Sequence, residues 1–270
     1  MKKKVISIFL IGFISVITII IPITLNMKKN KTYESIVVVP NIDTYKTLTL
    51  EDIAENKINE NITAKEKTYE FYAMMFGIDY DTLLSEIRSA NKTSFNELDL
   101  LQTGNNKASF DAALLEFIAT LETNKSELFK RNYSYKDCSK EYIYNLIEYF
   151  VSLNPSVDLK TAKAITWIET GNLGAQSMLN KNNIFGGMSN GRLTTYPSIE
   201  YGVYKYVMLL KSSYFDQGLQ TVEQIGYKYN PLIVDGVKMA NPTWVSNVNS
   251  YRNKFSSEVK VTSVEKLLNL

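Results

Sequence analysis

The sequence contains no histidine and only one cysteine, Cys138, among its 270 residues. The absence of histidine excludes Ser-His-Asp and Cys-His catalysis and every zinc site that uses an imidazole ligand. A single cysteine excludes an intramolecular disulfide and a thiolate metal cluster, and we expect Cys138 to be a small, partly buried thiol. Acid-base chemistry must therefore come from carboxylates, lysines or tyrosines, and no motif requires a metal or a cofactor.

The chain also has little net charge. Its 30 Lys and Arg residues against 28 Asp and Glu residues give a net charge of +2. This balance does not favour binding of nucleic acid, whose phosphates usually require a clustered basic face. The hydrophobic content of 45% is enough for one ordinary core and a second, smaller one.

A charge-free segment at residues 5–25 predicts a membrane anchor. Its 21 residues, at ~1.5 Å per residue, can cross a hydrocarbon core of ~30 Å as a helix. Three lysines precede the segment, as in a cytoplasmic tip, although three more follow it at positions 28, 29 and 31. No small-x-small cleavage site follows. We therefore predict an uncleaved signal anchor over residues 1–31, rather than a cleaved signal peptide, in the cell membrane with the rest of the chain on the extracytoplasmic side.

The polar residues 32–62 are typical of a solvated stalk. The next region, 63–149, is predicted to be helical: apolar residues at helical spacing predict about three helices between residues 63 and 130, with Asp79 or Asp81 as a helix cap. The sequence leaves three roles open for this region: a spacer, a surface that binds a protein partner, or an inhibitory segment.

A further helix is predicted between Asp158 as its N-cap and Gly171 as its stop. Glu169 lies at the end of the apolar stripe of this helix, after Ile165 and Ile168, so its carboxyl group should be half-buried. Burial disfavours the charged form and raises the pKa of a carboxyl group, as a general acid near neutral pH requires. A Glu before a terminal glycine is also common without any catalytic role.

Four segments in order resemble the glucosaminidase family of peptidoglycan hydrolases, glycoside hydrolase family 73. They are AITWIETGNLGAQSM (164–178), NNIFGGM (182–188), YPSIEYGVYKYVMLL (196–210) and YKYNP with NPTWVSNVNSY (227–251). The resemblance covers residues 150–256 and leaves 257–270 as a C-terminal tail. It implies a mainly α, lysozyme-like (α+β) domain with a small β-lobe, a glycan-binding cleft, and cleavage of the β-1,4 bond after N-acetylglucosamine.

The resemblance also implies roles for individual residues. Glu169 matches the catalytic acid, although Leu173 stands where the family usually has an aromatic residue. Asn183, Phe185 and Gly186 match an N-x-F-G segment on the floor of the cleft, where glycine lets the backbone approach the sugar. A plain turn is the alternative for this segment.

Glu200, 31 positions after Glu169, falls where the family carries its second carboxylate, a candidate base. The alternatives are a charge that stabilises a helix N terminus, and a route in which the N-acetyl group of the substrate attacks and one acid suffices. Tyr229 matches a tyrosine placed near the acid, with Tyr227 as its competitor, and Trp244 is expected in the core.

The sequence thus predicts a membrane-anchored endo-β-N-acetylglucosaminidase that acts in local cell-wall remodelling, with peptidoglycan glycan strands as its partner. A lytic transglycosylase is the nearest alternative, although Thr170 stands where that group has serine after the glutamate. A non-catalytic wall-binding or assembly protein is the alternative from a different class.

Overall fold

Our computed structural model describes residues 64–90, 107–129 and 138–269, together with four short strands nearer the N terminus. The chain divides into two compact units, residues 1–63 and 64–270. In the first, β1 (Val5–Ile8) pairs antiparallel with β2 (Ile21–Thr24), and β3 (Glu34–Val37) pairs antiparallel with β4 (Lys46–Thr49).

The predicted anchor at residues 1–31 and the predicted stalk at residues 32–62 lie mostly outside the described residues. Strands β1 and β2 fall within the segment predicted as a transmembrane helix, and the residues between them are not described. Among the residues that are described, no helix is both long enough and apolar enough to cross a membrane. The anchor stays a prediction.

The second unit is mainly helical, which confirms the predicted mainly α fold. Its first helices are α1 (residues 64–76), α2 (Tyr80–Ala90), α3 (Lys107–Asn124), α4 (Lys140–Ser152), α5 (Leu159–Thr170) and α6 (Gln176–Leu179). The hairpin of β5 (Met188–Ser189) and β6 (Arg192–Leu193) follows. After it come α7 (Ile199–Ser213), α8 (Val222–Tyr229), the hairpin of β7 (Pro231–Val234) and β8 (Val237–Ala240), α9 (Pro242–Arg252) and α10 (Val264–Leu268). Short 3-10 turns lie at Ser126–Leu128 and Phe215–Gln217.

Polar side chains fix where these helices begin, because they accept hydrogen bonds from backbone N–H groups that have no partner within the helix. Asp79 bonds to Thr82 N at 3.0 Å, and Asp158 bonds to Thr161 N at 2.8 Å. Helix α5 ends at Gly171, whose φ of 56° is left-handed. The predicted cap and stop of α5 are both confirmed, and Asp79 is the residue that caps α2.

Residues 64–90 and 107–129 share one hydrophobic core with the helices that follow. The ring of Phe76 packs against Tyr201 and Tyr204, with ring centroids 5.4 and 6.0 Å apart. Ser198 at the start of α7 donates to Met75 O at 3.0 Å. The region 63–149 and the domain 150–256, predicted as separate, are therefore parts of one compact unit.

The C-terminal segment, predicted only as a tail at 257–270, packs into the same unit. Val261 and Val264 are buried, and two buried carboxylates hold their backbone. Val264 N donates to Asp111 at 3.1 Å, and Val261 N donates to Glu148 at 2.8 Å. These partners are more than 100 residues away in sequence, so local patterns gave no sign of them.

Candidate active site

Glu169 lies in the last turn of α5 and is partly exposed. Thr170 fixes the turn that follows, because its hydroxyl donates to Thr166 O at 2.6 Å and accepts from Leu173 N at 2.8 Å. Asn172 and Leu173 both continue the left-handed backbone, with φ of 56° and 55°. Such φ values cost of order 1–3 kcal/mol each in residues other than glycine, and strain of this kind clusters at functional sites.

The two carboxyl oxygens of Glu169 have different neighbours. Trp244 donates its indole Nε1–H to Oε1 at 3.0 Å. Oε2 instead lies over Gly186, where an added β-carbon would be 3.4 Å from the oxygen. Burial raises the pKa of Glu169, and the hydrogen bond from Trp244 opposes this increase by stabilising the carboxylate. The result is a carboxyl group whose pKa lies above its ordinary value.

The loop that carries Gly186 is organised by Asn183, which is fully buried. The Asn183 amide donates to Gly187 O at 2.9 Å and to Thr194 O at 3.0 Å. Its carbonyl oxygen accepts from Phe185 N at 3.3 Å and from Gly187 N at 3.2 Å. All of the groups that Asn183 was predicted to offer to a sugar are engaged by the loop itself, so its role in this geometry is to shape the loop.

Aromatic rings connect this loop to the acid. The Tyr229 hydroxyl donates to Phe185 O at 2.7 Å, and its ring stacks on Trp244 with centroids 5.3 Å apart. The Phe185 ring is buried and stacks on Tyr206 at 5.1 Å. Burial and the nearby charge of Glu169 raise the pKa of Tyr229 well above its usual range. Tyr229 is therefore a neutral phenol near the acid.

Of the two competing tyrosines, Tyr229 is the one near Glu169. Tyr227 lies two residues earlier on α8, points to a different face and is 51% exposed. It lines a surface groove together with Lys228 and Lys238. Tyr227 can therefore make its predicted contact with the substrate only if the substrate extends into that groove.

Glu200 has different surroundings from those of Glu169. It is only 4% exposed, lies in the first turn of α7 and accepts a hydrogen bond from the Tyr142 hydroxyl at 3.0 Å. Within the part of the chain that the structure describes, Glu200 bonds to Tyr142 whereas Glu169 bonds to Trp244, so the two carboxyl groups have different hydrogen-bond partners. A general base must reach a water molecule, whereas a buried carboxylate at a helix N terminus stabilises the helix dipole. These contacts favour the second interpretation.

Trp244 is a hydrogen-bond partner of Glu169 that sequence reasoning missed. It was expected in the core, and it is indeed buried, at 4% exposure. Its indole N–H also reaches Glu169 across 75 positions of sequence. A buried tryptophan usually finds an acceptor for its N–H. The sequence therefore indicated that Trp244 has a hydrogen-bond partner, but it did not identify Glu169 as that partner.

Among the described residues, no group of three or more Cys, Asp and Glu side chains is arranged to hold a metal ion. Comparison of the chain with protein-family models, with curated proteins and with solved structures found no match.

Proposed function

We propose that this chain is a membrane-anchored peptidoglycan hydrolase that cleaves the β-1,4 bond after N-acetylglucosamine, with Glu169 as the general acid. The observation that carries the proposal is the state of this carboxyl group: it is partly exposed, burial raises its pKa, and one oxygen lies over a glycine. A group in this state keeps its proton to higher pH than an exposed glutamate and can deliver it to a bound ligand. The resemblance to the glucosaminidases supplies the substrate class.

The arrangement of the hairpins supports a lysozyme-like domain with a small β-lobe. The β5–β6 hairpin directly follows the loop that carries Gly186. The β7–β8 hairpin lies between Tyr229 and Trp244, and Asn241 N donates to Asn230 O at its base, 3.2 Å away. Both hairpins thus branch from segments that contact the acid, as the walls of a glycan cleft would.

The chemistry begins with proton transfer from Glu169 to the glycosidic oxygen. The bond from that oxygen to the anomeric carbon breaks, and its electron pair stays on the departing oxygen. Positive charge then develops on the anomeric carbon and its ring oxygen. Gly186 leaves room for the sugar at this point, because a side chain there would occupy the space beside Oε2, with its β-carbon 3.4 Å from that oxygen.

The anomeric carbon must next gain a nucleophile. Because Glu200 is buried against Tyr142, we favour the route in which the acetamido oxygen of the substrate itself attacks and forms a ring. Water then opens that ring and gives one proton to the Glu169 carboxylate, which restores the acid. This route needs only one catalytic carboxyl group.

Tyr229 fits a role beside the acetamido group. Its hydroxyl hydrogen is engaged by Phe185 O, but the phenol oxygen can still accept a hydrogen bond from an N–H. The acetamido group carries such an N–H, and a hydrogen bond from it to Tyr229 would orient the group for attack. Orientation of a reacting group in this way lowers the entropic part of the barrier.

The test is digestion of purified peptidoglycan by the full chain, followed by mass spectrometry of the released ends. Reducing N-acetylglucosamine ends are the expected result. Anhydro-muramic ends would instead indicate a lytic transglycosylase, and glycan binding without any release would indicate a wall-binding protein.

A Glu200→Gln variant tests the route. If the acetamido group attacks, this variant keeps activity within a few-fold of the parent once its thermal stability is shown to be intact. A loss of activity in folded Glu200→Gln protein would reinstate Glu200 as the base.

A further inference from the structure

Trp244 is held rigidly beside Glu169 by three neighbours. Its ring stacks on Tyr229 with an interplanar angle of 23°, and its backbone N–H donates to the Asn241 side chain at the N-cap of α9. On α8, a β-carbon at Gly226 would lie 3.1 Å from the indole ring, which is tighter than most real contacts, so glycine lets the ring pack closely against this helix. The indole is therefore fixed in position before any substrate binds.

The chemistry of the indole determines which oxygen of Glu169 can carry a proton. Indole Nε1–H is a donor and never an acceptor. Since Trp244 donates to Oε1, that oxygen must present a lone pair, and a proton there would compete for the hydrogen bond. The proton of the neutral acid then belongs on Oε2, the oxygen that lies over Gly186.

We infer that Trp244 is a positioning residue that keeps the acidic proton of Glu169 on Oε2, aimed at the space over Gly186 where the glycosidic oxygen binds. The inference rests on the proposed function for the identity of the proton acceptor. The hydrogen bond itself does not depend on that function.

The same contact has a second consequence once the proton has left. The carboxylate carries a full negative charge, and a hydrogen bond to a charged group is stronger than one to a neutral group. Trp244 therefore stabilises the product of proton transfer more than the starting acid, which makes Glu169 a better proton donor. Tyr206 and Tyr229 are the described titratable groups that respond to the charge of Glu169, and both stay neutral because burial raises their pKa well above the usual range.

The chain has only two tryptophans, Trp167 and Trp244, which permits a direct spectroscopic test. The full chain, labelled with ¹⁵N-tryptophan and kept in mild detergent, gives two indole N–H signals in NMR spectra. A Trp167→Phe variant assigns them. Trp167 is a matched reference, because it stacks on Tyr251 and has no described contact with Glu169.

We expect the Trp244 signal to move as the pH is raised through the pKa of Glu169, and to stay fixed in Glu169→Gln. The Trp167 signal should not follow the same titration. A Trp244 signal that stays constant between about pH 3 and 8, or that moves equally in Glu169→Gln, would overturn the inference.

Activity measurements on Trp244→Phe complete the test. Phenylalanine keeps the stacked ring but removes the donor, so we expect kcat to fall about tenfold with little change in KM. The alkaline limb of the pH profile should move to higher pH, because the carboxylate loses a stabilising partner. If kcat falls but the alkaline limb of the pH profile does not move, Trp244 only packs against its neighbours and does not position the proton of Glu169. If the indole titrates with Glu169 but peptidoglycan is never cut, the proposed function fails while the hydrogen-bonded pair stands.

Discussion

Replacement of Asn183 by alanine tests whether this residue shapes the loop or binds the substrate. Four hydrogen bonds of this fully buried side chain would be lost, at distances between 2.9 and 3.3 Å. At about 1 kcal/mol for each bond, the free energy of unfolding should fall by about 4 kcal/mol. For a unit of this size, each 1 kcal/mol corresponds to about 2–4 °C, so Tm should fall by about 8–16 °C.

The assay is thermal unfolding of the full chain followed by circular dichroism, beside peptidoglycan cleavage below the transition. Asn249→Ala is the matched control, because Asn249 makes a single bond near the surface, to Glu223 at 2.8 Å, and should change stability by less than about 0.5 kcal/mol. If Asn183→Ala unfolds at the parent temperature but no longer cleaves, then Asn183 binds the sugar directly and our account of the loop is refuted.

Three further predictions concern the same region. Gly202→Ala should lower stability by at least about 1–3 kcal/mol, measured by urea unfolding, because the new carbon would lie 1.9 Å from Asn182 O. Tyr229→Phe should lower kcat and stability together, since Phe185 O loses its donor; unchanged values of both would count against the proposed contact. Because burial raises the pKa of Glu169, the parent should lose activity as the pH rises through a midpoint above that of an exposed glutamate, and a midpoint at or below that value in a pH–rate profile would contradict the burial argument.

Local signals in the sequence correctly predicted where the helix that carries Glu169 begins and ends. The cap at Asp158 and the stop at Gly171 depend on hydrogen bonds between residues a few positions apart, so the sequence contains both partners. The half-buried state of Glu169 follows from the periodicity of its own helix. The predictions of the cap and the stop hold because they do not depend on how distant segments pack.

Contacts between distant segments could not be predicted in the same way. The bond from Trp244 to Glu169 and the burial of the C-terminal segment against Asp111 both depend on the tertiary arrangement. Asn183 shows a subtler difficulty, because an amide in a cleft-floor segment matches the pattern of a sugar ligand as well as that of a loop organiser. Only the four backbone partners of its side chain distinguish the two.

The central claim is that Glu169 donates the proton that breaks the glycosidic bond. The most direct measurement is the rate of release of new reducing ends from purified peptidoglycan by the full chain and by Glu169→Gln, with Tm measured for both. Glutamine has the same shape and can still accept the hydrogen bond from Trp244, so Tm should change little. We predict a loss of at least about 100-fold in kcat. Cleavage by folded Glu169→Gln at the parent rate would contradict the account.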